Sequence, residues 1–394
     1  MSRLLVVAWL LLIACNPESK SLKVVSIPTP AGTNSSEPYL FTDADGDVLL
    51  SWVERVDTVA RLSYARWQGE AWSAPVSIAQ SHTWFLNWAD YPVIAANKNN
   101  LIAHVLDKSD DGKYTYDVKI TTSANGAAWS SPLVLHDDGE KAEHGFVSIV
   151  PYGDDFFVCW LDGRNTGANT NDHNEHGHGA MSLRAAIVTA HGKKLTEWEL
   201  DNRTCDCCQT TAAITDAGPV VVYRNRTDEE IRDISITRLI NNEWTAPESI
   251  YADNWYIQGC PVNGPRAEAL NNQLAIAWFT NALDSTKVQV VFSDDNGKTF
   301  SGPVVVNTAN TIGRVDVVWL DKTRVMVSYV ENSKVWMRVV HRSGKLDRPQ
   351  LVAATSSKRA SGFPQLTRSG NQLFFAWTDD EERTIKCASV KELF

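Results

Sequence analysis

Four cysteines hold the most concentrated chemistry in this 394-residue chain: Cys205, Cys207 and Cys208 in one short segment, and Cys260 in a later one. His173, His176 and His178 follow a His-x-x-His-x-His spacing in an Asn- and Gly-rich stretch. Thiolates beside imidazoles suit Cu(I) or Zn(II), so one reading makes Cys205, Cys207, Cys208, Cys260, His176 and His178 ligands of such an ion. In an exported protein the same cysteines also suit two disulfides, one tying Cys260 to the Cys-x-Cys-Cys cluster. The spacing leaves both open. Cys159 and Cys387 lie in apolar runs and read as small buried residues. Arg164, Arg224, Arg226 and Arg266 form a second group, near Asp162 and Tyr256 in sequence. Guanidinium groups pair bidentately with carboxylates, which suits recognition of an acidic ligand. Trp84, Trp88 and Trp255 offer flat apolar faces, either for sugar rings or for packing loops together.

The elements that would position these residues are short β-strands. Val48–Trp52, Leu101–Val105, Phe156–Trp160, Val220–Tyr223, Leu274–Trp278, Val325–Tyr329 and Leu373–Trp377 are seven versions of one apolar strand, about 50 to 60 residues apart. In phase with them, an aromatic or Leu precedes a Pro by three positions at Trp72/Pro75, Trp129/Pro132, Trp244/Pro247, Phe300/Pro303 and Leu346/Pro349. Proline is tolerated where a strand lies at a sheet edge, so each pair marks the outermost strand of its repeat. The spacing predicts an all-β chain: one β-propeller of four-stranded antiparallel blades, seven by count, with six as the alternative. The seventh repeat, from Phe363 to Val390, has three strands of its own. The run Leu22–Ile27 supplies the fourth, closing the ring with strands from both termini. The second-to-third-strand loops share one face with the connections between blades, and that face receives the four arginines, Asp162, Tyr256, the clustered cysteines, the histidines and the three tryptophans. Function usually sits on loops carried by a rigid scaffold.

Ser293-Asp294-Asp295-Asn296-Gly297-Lys298-Thr299-Phe300 resembles the Asp-box, S-x-D-x-G-x-T-[WF], of the sialidase superfamily of β-propellers. Its physical sense is a tight hairpin in which Asp295 accepts backbone N–H groups, Gly297 takes a positive φ, and the aromatic packs between blades. Thr122 to Trp129 is a degenerate copy without the Asp. The resemblance implies a glycan-active propeller. Sialidases hold the sialic acid carboxylate with three arginines and use a Tyr nucleophile and an Asp acid/base, which points to Arg164, Arg224, Arg266, Tyr256 and Asp162 as catalytic candidates. Arg226, Trp84, Trp88 and Trp255 are then ligand-binding candidates. The chain departs from the family in lacking the Arg-Ile-Pro motif of first-blade loops and in counting seven blades where well-studied sialidases have six.

Arg3, the apolar run Leu4–Ile13 and Ala14-Cys15 read as an export signal, too short to span a bilayer. Leu12-Ile13-Ala14-Cys15 resembles a bacterial lipobox, which implies cleavage after residue 14, diacylation of Cys15 and a tether over residues 15–21 ahead of a propeller at 22–394. Asn16 favours the outer membrane of the cell envelope. Acidic residues outnumber basic ones 47 to 37, which argues against a nucleic-acid partner. The expectation is therefore a monomeric, lipid-anchored propeller that binds or hydrolyses glycans or glycoproteins, with no cofactor required. The alternative is a non-enzymatic propeller that binds proteins through a rim stapled by disulfides or holding Cu or Zn.

Overall fold

A computed structural model describes residues 22–167 and 179–391. Residues 1–21, Cys15 among them, and His173, His176 and His178 lie outside the described residues. The chain is a propeller of seven blades, so the count of seven holds and the alternative of six does not. Each blade begins with an inner strand: Ser35–Thr42, Ile94–Asn97, His144–Tyr152, Thr211–Thr215, Arg266–Leu270, Thr311–Asp321 and Gln365–Ser369 for blades 1 to 7. Each inner strand packs against the inner strands on either side, so the seven form a closed ring around one axis. The seven apolar strands read from the sequence are the second strands, and the Pro-marked runs lie on the outer edges. In blade 4 that edge is split between Glu243–Trp244 and Glu248–Ser249, both paired with Ile234–Ile240. Val24–Ile27 pairs antiparallel with Thr384–Lys391, completing blade 7 from the N-terminal side.

The sequence dictates this arrangement through alternation. A blade buried on both faces must be apolar on both, and one apolar cluster fills each of the seven gaps between neighbouring blades. Trp52, Trp160 and Trp278 are wholly buried in these gaps, and Trp377 nearly so. The indole N–H groups of the first three still find partners, Trp52 on Glu54 (2.9 Å), Trp160 on Asp162 (2.9 Å) and Trp278 on Asp253 (2.7 Å). Removing one such ring would cost about 3–5 kcal/mol.

The hairpin at residues 293–300 has the expected geometry. Asp295 accepts the N–H of Lys298 (3.1 Å) and Thr299 (2.8 Å) and the Thr299 hydroxyl (2.6 Å). Gly297 has φ 77°, and a Cβ there would stand 2.9 Å from Ile236. Phe300 packs on the cluster between blades 4 and 5. In the degenerate copy Asn125 takes the place of the Asp, accepting the N–H of Ala127 (2.9 Å) and Ala128 (3.1 Å).

A chain starting at residue 28 should lose the outer strand of blade 7 and expose Thr384–Lys391 as a free edge. Thermal unfolding and light scattering, against a chain starting at Leu22, should give a lower Tm and more aggregation. An unchanged Tm would mean that the ring does not depend on this strand.

Candidate functional site

The inner strands place side chains at matching levels around the axis. In six blades the residue opposite the position just before the second-strand aromatic is polar: Tyr39 opposite Ser51, Ser148 opposite Cys159, Thr211 opposite Val222, Arg266 opposite Ala277, Asp316 opposite Ser328, Gln365 opposite Ala376. These form a polar ring in the channel. Two residues earlier, Glu37, Phe146 and Arg314 have φ of 57°, 55° and 53°, each within a break in strand register. A bulge with a left-handed non-glycine residue is costly and re-aims its side chain, here at the end of the channel nearest the blade connections.

At this mouth the Arg266 guanidinium donates to the Tyr91 hydroxyl, joining blade 5 to blade 2. Burial pushes the Tyr39 phenol up to about 12 against the opposing field of Arg266. Burial likewise raises the Asp316 carboxyl, again opposed by Arg266. Gln209 donates to the Ala89 carbonyl (2.6 Å) and accepts the Gly264 N–H (2.8 Å), tying three blade connections together. These side chains plug the axis. The cavity beneath, bordered by Tyr39, Asp90, Tyr91, Gln209 and Arg266, has about 10 Å³, room for one water. A larger ligand must lie over the plug. Beside it Trp88 stacks on Phe363 with centroids 5.6 Å apart, and the Arg314 guanidinium stands 5.1 Å from the Trp88 centroid.

A carboxyl pair adjoins the plug. The Tyr116 hydroxyl lies 2.8 Å from Glu143 Oε1 and 3.3 Å from Asp90 Oδ2, with one proton to donate between them. Asp90 Oδ1 accepts the Phe146 N–H at 2.7 Å. Burial raises Asp90 to about 7, against that backbone bond. Burial also raises Glu143 to about 8, opposed by the Tyr116 bond and reinforced by the nearby Asp90. Such a pair holds protons at neutral pH and can give one up, the property acid/base chemistry needs.

Most residues singled out from the sequence are engaged elsewhere. Asp162, fully buried, accepts the Trp160 indole and two bonds from Arg164 (both 2.8 Å). Arg164 also reaches Asp138 (3.0 Å) and Glu197 (3.2 Å). Asp138 in turn contacts His136 and His144, each at 3.0 Å, whose rings stack 3.6 Å apart. This His-Asp group is thus already charge-compensated by a guanidinium. Arg224 donates to the main-chain carbonyls of Arg232, Asn263 and Phe279 and lies 4.9 Å from the Trp255 centroid. Trp255 is itself buried against Phe279. Arg226 clamps Glu230 and Asp206. Tyr256 is exposed and bridges Ile231. The three arginines therefore do not converge; Arg266 is the one that reaches the channel. Trp84 borders an open groove of about 330 Å³ with Arg55, Asp57 and His82. Cys205 Sγ lies 3.4 Å from Cys208 Sγ and 3.9 Å from Cys207 Sγ.

Sequence reasoning missed Tyr39, Asp90, Tyr91, Tyr116, Glu143 and Gln209. Aligning the repeats on the second-strand aromatic would have exposed the inner-ring positions, because polar residues stand there where a buried strand should be apolar. Nothing local marks Tyr116 or Glu143.

No family model and no curated protein matches this sequence. Solved structures do match in fold. An α-L-arabinofuranosidase of Fusarium graminearum, in complex with an iminosugar inhibitor, has TM-score 0.52 and 12% identity over 95% of this chain and 98% of its own. A polysaccharide lyase has TM-score 0.52 and 9% identity over 90% of each chain. An α-L-arabinanase of Penicillium chrysogenum, complexed with arabinobiose, has TM-score 0.50 and 11% identity over 96% of this chain and 99% of its own. At such identities the likeness is one of fold.

Glu37, Asp90, Glu143 and Glu268 are all raised by burial, to about 8, 7, 8 and 8. The native state thus keeps protons that the unfolded chain sheds near pH 4, so stability is full below that point and is lost as pH rises through about 7 to 8. Urea midpoints should fall from about pH 5 to pH 9, and less steeply in Glu143→Gln. A midpoint that rises over this range would contradict the protonated state of these groups.

Proposed function

We propose that this protein binds and cleaves glycans at the channel mouth, with Glu143 as the proton donor. The observation that carries this reading is the Asp90–Tyr116–Glu143 relay, two carboxyls sharing one phenol beside an arginine-bearing plug. Glu143, half-buried and protonated at neutral pH, is suited to protonate a leaving glycosidic oxygen. Asp90, more deeply buried, is suited to relay charge through Tyr116. Arg266 and Tyr91 offer cationic and phenolic groups to a sugar carboxylate or hydroxyl, and Trp88 and Trp84 offer ring faces. The arabinofuranosidase, polysaccharide lyase and arabinanase that share the fold support a glycan as the ligand class. Acidic sugars, sialosides among them, are the finer proposal, resting on Arg266. The lipobox-like Leu12-Ile13-Ala14-Cys15 supports a lipid-anchored place in the cell envelope.

Turnover should be sought on a panel of arabinans, uronate-containing polysaccharides and sialosides. On any substrate found, Glu143→Gln should lower kcat by about 100-fold or more and remove the limb of the pH profile near 8. Arg266→Ala should raise KM more for acidic than for neutral glycans. Full activity in Glu143→Gln would overturn the assignment.

A further inference from the structure

The four rim cysteines belong to two successive blade connections, Cys205, Cys207 and Cys208 between blades 3 and 4 and Cys260 between blades 4 and 5. The ligand atoms of the first three all lie within 4.8 Å of one another. Four ligands at the zinc–sulfur bond length of about 2.3 Å in a tetrahedron stand about 3.8 Å apart. The separations of 3.4 and 3.9 Å from Cys205 bracket that value, whereas a disulfide would bring its sulfurs to about 2.05 Å.

The surroundings are built for negative sulfur. Arg232, fully buried, donates from Nη1 to Cys205 Sγ at 3.2 Å. Its Nη2 donates to Glu230 (2.8 Å), which also receives Arg226 (2.7 Å), and Arg226 reaches Asp206 (2.8 Å). Asp206 accepts the Met181 N–H (3.1 Å), fixing the segment between the sulfurs. A buried guanidinium aimed at a sulfur calls for a thiolate, and one guanidinium balances one thiolate. Three sulfurs gathered so closely offer soft donors to one further cation.

We infer that Cys205, Cys207 and Cys208 bind one thiophilic d10 cation, Zn(II) or Cu(I), with Cys260 on its outer side and Arg232 as the residue that orients Cys205. Binding releases the thiol protons to solvent and involves no redox change. The ion braces the connection between blades 3 and 4. Cys208 directly precedes Gln209, which accepts the Gly264 N–H, so the ion also anchors this part of the channel plug. This inference stands whether or not the protein cleaves glycans.

The test uses the full chain, purified anaerobically without thiol reductant or chelator. Elemental analysis should give about one equivalent of zinc or copper per chain, the element itself deciding between the two. The clustered thiols should resist alkylation until a chelator strips the ion. Co(II) exchanged into the site should give thiolate charge-transfer bands. Cys208→Ser should lose stoichiometric binding, Arg232→Met should weaken affinity by about 10–100-fold, and Cys387→Ser, in a strand of blade 7, should change nothing. If Cys208→Ser does not fold, alkylation protection in the unaltered chain decides alone. An intact mass short by the hydrogens of a disulfide with no metal bound, or freely alkylated thiols in metal-supplemented protein, would overturn the assignment.

Discussion

Seven strands share one axis, and the side chains they carry at a given level must meet there. This crowding is the constraint on which the rest of the molecule depends. The outer parts of each blade need only be apolar on both faces, a demand met by repeating Val, Ile, Leu and Trp. The inner strands cannot repeat one residue, since seven identical side chains at one level would either clash or leave a hole. The sequence instead varies the slot among Tyr39, Ser148, Thr211, Arg266, Asp316 and Gln365. Polar groups of different size close the axis by bonding across it, as Arg266 does to Tyr91 and Gln209 to Ala89.

The same crowding sets the electrostatics of the mouth. Carboxyls drawn toward the axis lose water, and ionisation becomes costly unless a cation or several donors face them. Asp90 and Glu143 share a single phenol and stay protonated into the neutral range. Asp162, bonded to Arg164, and Asp138, which accepts the Glu140 N–H and faces His144, are held below the usual carboxylate range against the opposing effect of burial. Two groups of acids that meet at the connection between blades 2 and 3 are thus separated by chemistry, one compensated by Arg164 and the other keeping a transferable proton. The bulges at Glu37, Phe146 and Arg314 add backbone strain at this end of the channel, a cost that rigid blades on either side can sustain.

The architecture was legible in the sequence because it depends on periodicity, which survives without coordinates. Seven apolar strands, six of them ending in an aromatic, the Pro-marked edges, the Asp295 turn and the closing strand at Val24–Ile27 were each carried by local pattern. The face bearing the cysteine-rich connections was legible for the same reason. The roles of individual polar residues were not. Arg224 reads as a ligand binder by type, yet every donor bond it makes goes to a main-chain carbonyl. Trp255 reads as a sugar platform, yet it is buried against Phe279.

By itself, then, the sequence determined the repeat and the way the ring closes, and counted seven blades with six left open, since hydrophobic alternation and turn residues act over a few positions. Only the tertiary structure decided which acids share a proton and which cysteines gather. Tyr116 and Glu143 lie 27 residues apart in different blades, and Arg266 meets Tyr91 across 175 residues. Desolvation and pairing depend on what the closed ring brings together, and no local pattern records that.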